Sequence, residues 1–191
     1  MSTIVESVRS VAARDVLENA RARAAFGIAA FVAAMSFSAQ IAVPLPWSPV
    51  PMTLQPLVVL LAGAFLGSRG GAAAMLAYLA LGAGGAPVFS LGGAGLPWLV
   101  GPTGGYLLAM PAVAWVVGVT VRPGAGTLVT VLGFLSGLAV LYAGGVAYLV
   151  LLLGRDAGSV FALGVAPFLA GDLTKVILAV GLTRRFGRTD S

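Results

Sequence analysis

The sequence predicts an all-α integral membrane protein with six transmembrane helices, a short amphipathic N-terminal segment and both termini in the cytoplasm. Three observations carry that prediction. The 191-residue chain is 59% hydrophobic and only 9% charged, whereas soluble domains are about 25% charged. Its mean hydropathy is +1.03, and its apolar runs are long and unalternated, which excludes a β-barrel. Its arginines gather at every second boundary between those runs, as cytoplasmic ends require.

Residues 1–23 are polar, with Val8, Val11 and Leu17 at roughly helical spacing. They read as a short cytoplasmic helix on the membrane surface or a frayed tail. The faint cleavage pattern at Ser36-Phe37-Ser38 makes a signal peptide the weaker reading, because the polar lead is long for one. Residues 24–186 form the membrane domain, and 187–191 are a C-terminal tail. The domain holds apolar segments at 24–42, 54–67, 71–86, 103–121, 127–152 and 167–183. The second and third are short against the ~20 residues of a full crossing, so their ends extend into flanking loops.

Arginine placement tests the count. With the N-terminus inside, the inner face receives Arg9, Arg14, Arg21, Arg23, Arg69, Arg122, Arg184, Arg185 and Arg188. The outer face receives only Arg155, next to Asp156. Five or seven spans would scatter these charges over both faces. The same asymmetry accounts for the pI near 10.5 without nucleic acid.

The inner connections, Ser68-Arg-Gly-Gly and Val121-Arg-Pro-Gly-Ala-Gly, are tight turns. The outer ones, "VPLPWSPVPMT" from Val43 and "PVFSLGGAGLPWLVGPTGGY" from Pro87, are long, rich in proline and glycine, and uncharged. Such loops suit a lid over a pocket.

Composition also removes chemistries. With no cysteine and no histidine, thiolate nucleophiles, disulfides, His-ligated metals and His bases are excluded. No G-x-x-x-x-G-K-[ST] occurs, so the chain does not hydrolyse ATP through a P-loop of its own. Uphill transport would draw on an ion gradient or a partner, and the scarcity of intramembrane carboxylates favours the partner. No catalytic residue, metal or cofactor is expected.

The candidate site is "PFLAGDLTK" (167–175) at the head of the last apolar run. Asp172 and Lys175 stand at i and i+3, on one helix face. An ionisable group in the bilayer costs at least ~2.5 kcal/mol, so both should face the interior of the bundle. They read as a polar anchor for a ligand, in preference to an ion pair that only holds the helix in register or a proton relay. Gln55, Thr103 and Tyr106 lie at other outer helix ends. In "GPTGGY" (101–106), Thr103 is placed as an N-cap with free N–H groups behind it, an end hospitable to an anion. An ordinary cap and an interfacial tyrosine is the alternative. Phe89, Trp98 and Trp47 would either wall the pocket or belong to an aromatic belt. On the first helix, Ala25, Ala29 and Ala33 form a small-residue stripe, beside Ala30, Ala34 and Ser38, for internal packing or for docking another membrane subunit.

"SPVPMTLQ" (48–55), "LLAGAFLGSRGG" (60–71), "APVFS" (86–90), "GPTGGYLL" (101–108) and "PFLAGDLTK" (167–175), in that order, resemble the BioY family, the biotin-binding S components of energy-coupling factor transporters. The resemblance covers most of the chain. It implies an S-component-like six-helix fold in the bacterial cytoplasmic membrane, with biotin bound near the extracellular face under the outer loops. It implies as partners a membrane coupling subunit, met by the Ala25/Ala29/Ala33 stripe, and two cytoplasmic ATPases. It maps the family's GD-x-x-K onto Asp172 and Lys175 as ligand contacts. Ala109 departs from the glycine expected after "GGYL", and the third-to-fourth loop offers no cation to a carboxylate. The runner-up function is a stand-alone secondary transporter or facilitator of a small organic acid. An intramembrane enzyme is weaker still.

Overall fold

The computed structural model describes residues 2–186, with side chains described from residue 19 onward. The predicted tail at 187–191 and the side chains of Val8, Val11 and Leu17 lie outside the described residues. Helix α1 runs from Ser2 to Gln40 without a break. The surface segment expected at 1–23 is therefore not set off from the first span. No glycine or proline occurs before Gly27, so nothing in the sequence stops a helix there. Asn19–Gln40 is the part long and apolar enough to cross a membrane.

A two-residue antiparallel ribbon follows. β1 (Ala42–Val43) pairs with β2 (Met52–Thr53) in the register Ala42↔Thr53 and Val43↔Met52. Helical residues then run from Gln55 to Ala83 (α2), but Gly67 sits at φ 73°, ψ 179°, a conformation essentially reserved to glycine. The chain reverses there. A Cβ on Gly71 would stand 3.0 Å from Ala62 O and Gly63 Cα, and Gln55 bonds to Tyr78, 23 residues away. A straight helix would separate those two by about 35 Å. So α2 is a hairpin of two arms, 55–66 and 68–83, which match the second and third apolar segments.

Beyond α2, a 3-10 turn at Ser90–Gly92 and the four-residue helix α3 (Leu96–Leu99) shape the long loop. Helix α4 (Gly104–Thr120) then packs between α2 and α5 (Thr127–Leu153). Glycines bring these backbones close: Gly63 meets Ala114 and Val117, Gly137 meets Val117 and Leu60, and Gly105 meets Gly144 and Tyr148. Gly154, in the left-handed region at φ 60°, ends α5.

Asp156 caps α6 (Ala157–Gly164), accepting from Ser159 N at 2.9 Å and from Ser159 Oγ at 2.6 Å. Those bonds hold its carboxyl below the usual carboxylate range. The chain bends by 58° into α7 (Leu169–Phe186). Pro167, at the head of the last apolar run, lies in the break before α7. At the far end the Arg184 guanidinium donates to Thr127 Oγ1, which places the end of α7 beside the start of α5. The expected sixth segment, 167–183, thus captures α7 and misses α6.

Candidate functional site

The starts of α2, α4 and α7 and the later half of α5 converge at one end of the bundle around a cavity with about 550 Å³ not filled by atoms, including its open mouth.

Asp172 and Lys175 form one wall, 3% and 6% exposed. Both face inward, as their cost in hydrocarbon demands. Lys175 Nζ donates to Asp172 Oδ1 at 2.6 Å and to the carbonyl of Thr53 at 2.6 Å. Tyr142, from α5, donates its hydroxyl to the other carboxylate oxygen, Oδ2, at 2.6 Å. The pair is therefore a buried, hydrogen-bonded unit joined to two other elements. It is more than an intrahelical ion pair. Thr53 reaches Lys175 because the β1–β2 ribbon pins residues 52–53 just ahead of α2. The third Nζ proton and the unused lone pairs of Asp172 remain available to a ligand.

Gln55 lines the cavity and is fixed from behind. Its Nε2 donates to Tyr78 Oη at 2.9 Å, and Thr53 Oγ1 donates to its Oε1 at 3.2 Å. Tyr78 in turn donates to the carbonyl of Val88 at 3.0 Å, tying the long loop to the α2 hairpin. Tyr106 also lines the cavity, and it is buried rather than interfacial. Its hydroxyl donates to the carbonyl of Gly164 at 2.6 Å, bracing the bend between α6 and α7. Thr103 is a lining residue but not the predicted side-chain cap: its backbone is helical (φ −86°, ψ −9°) and its hydroxyl caps no N–H. A capping hydroxyl needs an extended backbone to turn back on the first turn.

Phe89 does not line the cavity. It is fully buried one layer behind, edge-on to Tyr78 at 5.5 Å and seated over Gly82. Its carbonyl and the N–H of Gly92 are gripped by Gln40 at the end of α1, at 3.1 and 3.0 Å. Of the two candidate tryptophans, Trp47 is exposed and Trp98 lies against Gly93, neither against the cavity.

Sequence reasoning missed Tyr142, Ser90, Phe168 and Met110, all of which line the cavity. Tyr142 did leave a signal, since a phenol in the middle of an apolar run must find a partner. The apolar lining comes from Leu107 and Met110 on α4, Leu141 on α5 and Phe168 ahead of α7, with Val50 and Pro51 above. The arrangement can hold a molecule with an apolar body and a compact polar head able both to donate and to accept hydrogen bonds. It offers no activated nucleophile.

On α1, Gly27 lies against Leu66, and Phe31 stacks on Phe65 with centroids 6.4 Å apart, so this side of the helix packs on α2. Ala25, Ala29 and Ala33 face away and are exposed.

A cavity with a polar head, buried in a helical membrane protein under ordered loops, suits a solute-binding transport protein. The comparisons make the family specific. The BioY family model matches residues 10–190, and the chain belongs to that family. It is 40% identical to the probable biotin transporter BioY of Pyrococcus horikoshii over 158 residues, 83% of this chain and 92% of that one. It is 34% identical to the biotin transporter BioY of Thermotoga maritima over 84% of this chain and 93% of that one. Among solved structures, the S-component for biotin from an ECF-type ABC transporter matches with a TM-score of 0.79 at 25% identity, covering 87% of this chain and 92% of that one.

Proposed function

We propose that the chain is the biotin-binding S component of an energy-coupling factor transporter, seated in the bacterial cytoplasmic membrane with six crossings and both termini inside. One observation carries the reading: the Asp172–Lys175–Tyr142 unit forms a wall of the cavity, with hydrogen-bonding capacity to spare. Biotin's ureido group carries two N–H donors and a carbonyl. Asp172 accepts from the N–H groups in charge-assisted bonds, and Lys175 has a proton left for the carbonyl. Leu107, Met110, Leu141 and Phe168 cover the apolar bicycle. Gln55, Tyr106 and Thr103 complete the polar lining. Phe89 acts from behind, as the support for Tyr78.

The two α2 arms, α1, α4, α5 and the bent α6–α7 pair supply the six crossings. Arg69 and Arg122 at the turns, and Arg184 beside Thr127, support a common cytoplasmic end. A membrane coupling subunit docks on Ala25, Ala29 and Ala33, and two ATPases supply the energy. The exposure of that stripe supports docking over internal packing.

Radiolabelled biotin uptake by cells expressing the chain with and without coupling and ATPase subunits tests the reading. Accumulation against a gradient should require the partners, and undiminished uptake without them would support a stand-alone transporter instead. Ala29→Leu should leave biotin binding to the purified chain intact while impairing transport. Loss of both together would assign the stripe to internal packing.

A further inference from the structure

We infer that the site recognises the polar head and apolar body of its ligand and does not read the charge on the ligand's acid end, so that neutral amides and esters of the acid bind as the acid does. The inference rests on the biotin reading above and adds to it the class of molecules the site accepts.

The argument begins with the charges that face the cavity. Among the described residues lining it, Lys175 is the one cation and Asp172 the one anion, so the wall is neutral overall. Lys175 is already committed, 2.6 Å from Asp172 Oδ1 and 2.6 Å from the Thr53 carbonyl. Swinging it to a ligand carboxylate would strip Asp172 of its counter-charge and leave one buried cation between two buried anions. Separating a buried pair in this way is strongly unfavourable. A ligand carboxylate therefore finds no spare positive charge at the pair.

Nor does it find one at the mouth. The loops that roof the cavity, residues 41–54 and 84–103, contain no Lys, Arg, Asp or Glu. What they and the start of α4 present are neutral groups: Val50, Pro51 and the hydroxyls of Ser90 and Thr103. A serine or threonine hydroxyl can donate to a carboxylate, an amide or an ester carbonyl alike, and brings no charge of its own to favour the first. Burying the anion in this setting would sacrifice its hydration for neutral hydrogen bonds, so the ionised acid gains nothing over its neutral derivatives.

The test is titration calorimetry of the purified full-length chain with biotin, biotinamide and biotin methyl ester. The neutral derivatives should bind within about threefold of biotin, or more tightly, where loss of a charge-assisted bond would weaken them by more than about tenfold. The dissociation constant of biotin should change less than about twofold between about 20 mM and about 500 mM salt, because neither the cavity nor the two loops over it carry net charge. Tight biotin binding with the amide and ester weakened more than about tenfold overturns this inference and leaves the biotin reading standing. A folded chain that binds none of the three overturns both.

Discussion

Asp172→Asn separates what the buried pair does for the fold from what it does for the ligand. The substitution keeps the shape and removes the charge. Lys175, 6% exposed, then keeps the Thr53 carbonyl and a neutral amide oxygen but loses its counter-ion. Removing one partner of a buried pair costs about 3–5 kcal/mol of stability. The Thr53 bond persists, so the lower end of that range is expected. For the ligand, the proposed charge-assisted bond to Asp172 would be worth about 1.5–3 kcal/mol, and its loss should weaken biotin binding by about 10–150-fold. These two effects are confounded in the single variant.

A second variant, Asp172→Asn with Lys175→Met, removes both charges and lets a methionine stem of similar length occupy the lysine's path. Stability should recover to within about 1.5 kcal/mol of the parent, because a neutral pair leaves no stranded charge. Affinity should not recover, because the donors and acceptors that meet the ligand are still missing. Thermal unfolding in detergent without ligand measures the first effect and titration with biotin the second. The reasoning is refuted by a double variant that regains biotin affinity along with stability, or by a single variant whose dissociation constant is unchanged.

Two other predictions concern residues that position the site or its scaffold. Tyr142→Phe removes the donor to Asp172 Oδ2 and should weaken biotin binding about 5–30-fold with the fold retained, since a hydrogen bond to a charged group is worth about 1.5–3 kcal/mol and the freed oxygen can still serve the ligand. Unchanged calorimetric affinity in that variant would remove Tyr142 from the site. Gly67→Ala forces a Cβ into φ 73°, ψ 179°, and should lower stability by about 1–3 kcal/mol or more, read as a drop in unfolding temperature and in the yield of monodisperse protein. A variant as stable as the parent would mean that the turn of the hairpin is not confined to this conformation.

The sequence showed most of the site because ionisable and amide side chains are conspicuous in an apolar chain. Asp172, Lys175, Gln55, Thr103 and Tyr106 all come together at the cavity. It showed less where the decisive group is backbone. The Thr53 carbonyl that takes a proton from Lys175 carries no residue-type signature, and its position depends on a four-residue ribbon too short to leave an alternation pattern. Phe89 shows the converse: an aromatic in an outer loop reads as a pocket wall until Gly82 gives its ring a place behind Tyr78. Thr103 failed as a cap because helical backbone at 103 turns its hydroxyl from the first-turn N–H groups. The run 55–83 looks like one long span by composition and length. Arg69 and the glycines beside it divide it in the sequence, and Gly67 is where the chain doubles back.

That hairpin also accounts for why a cavity exists at this end of the bundle. An arm of residues 55–66 extends about 18 Å and the 17 residues of α4 about 26 Å, both less than the ~30 Å of a hydrocarbon core. Both carry much of the buried core, Val59, Leu60 and Ala62 on one, Val113, Ala114 and Val117 on the other. The 27-residue α5 is longer, about 40 Å. Gly105, the second residue of α4, already packs against Gly144 and Tyr148, so the last turn of α5 stands above the start of its shorter neighbour. Short helices beside a longer one leave a depression at their ends, where their first-turn N–H groups lack intrahelical partners. Exposed to lipid, such a depression would be intolerable. Roofed by uncharged loops, held by Gln40 to α1 and by Tyr78 to α2, it becomes a compartment in which one neutral acid–base unit can meet a small polar head. Lengthening α4 by a turn at its start, with the loop otherwise unchanged, should therefore fill the cavity and abolish biotin binding while leaving the α2–α4–α5 packing and the unfolding temperature intact. Retained binding in that variant would place the ligand elsewhere.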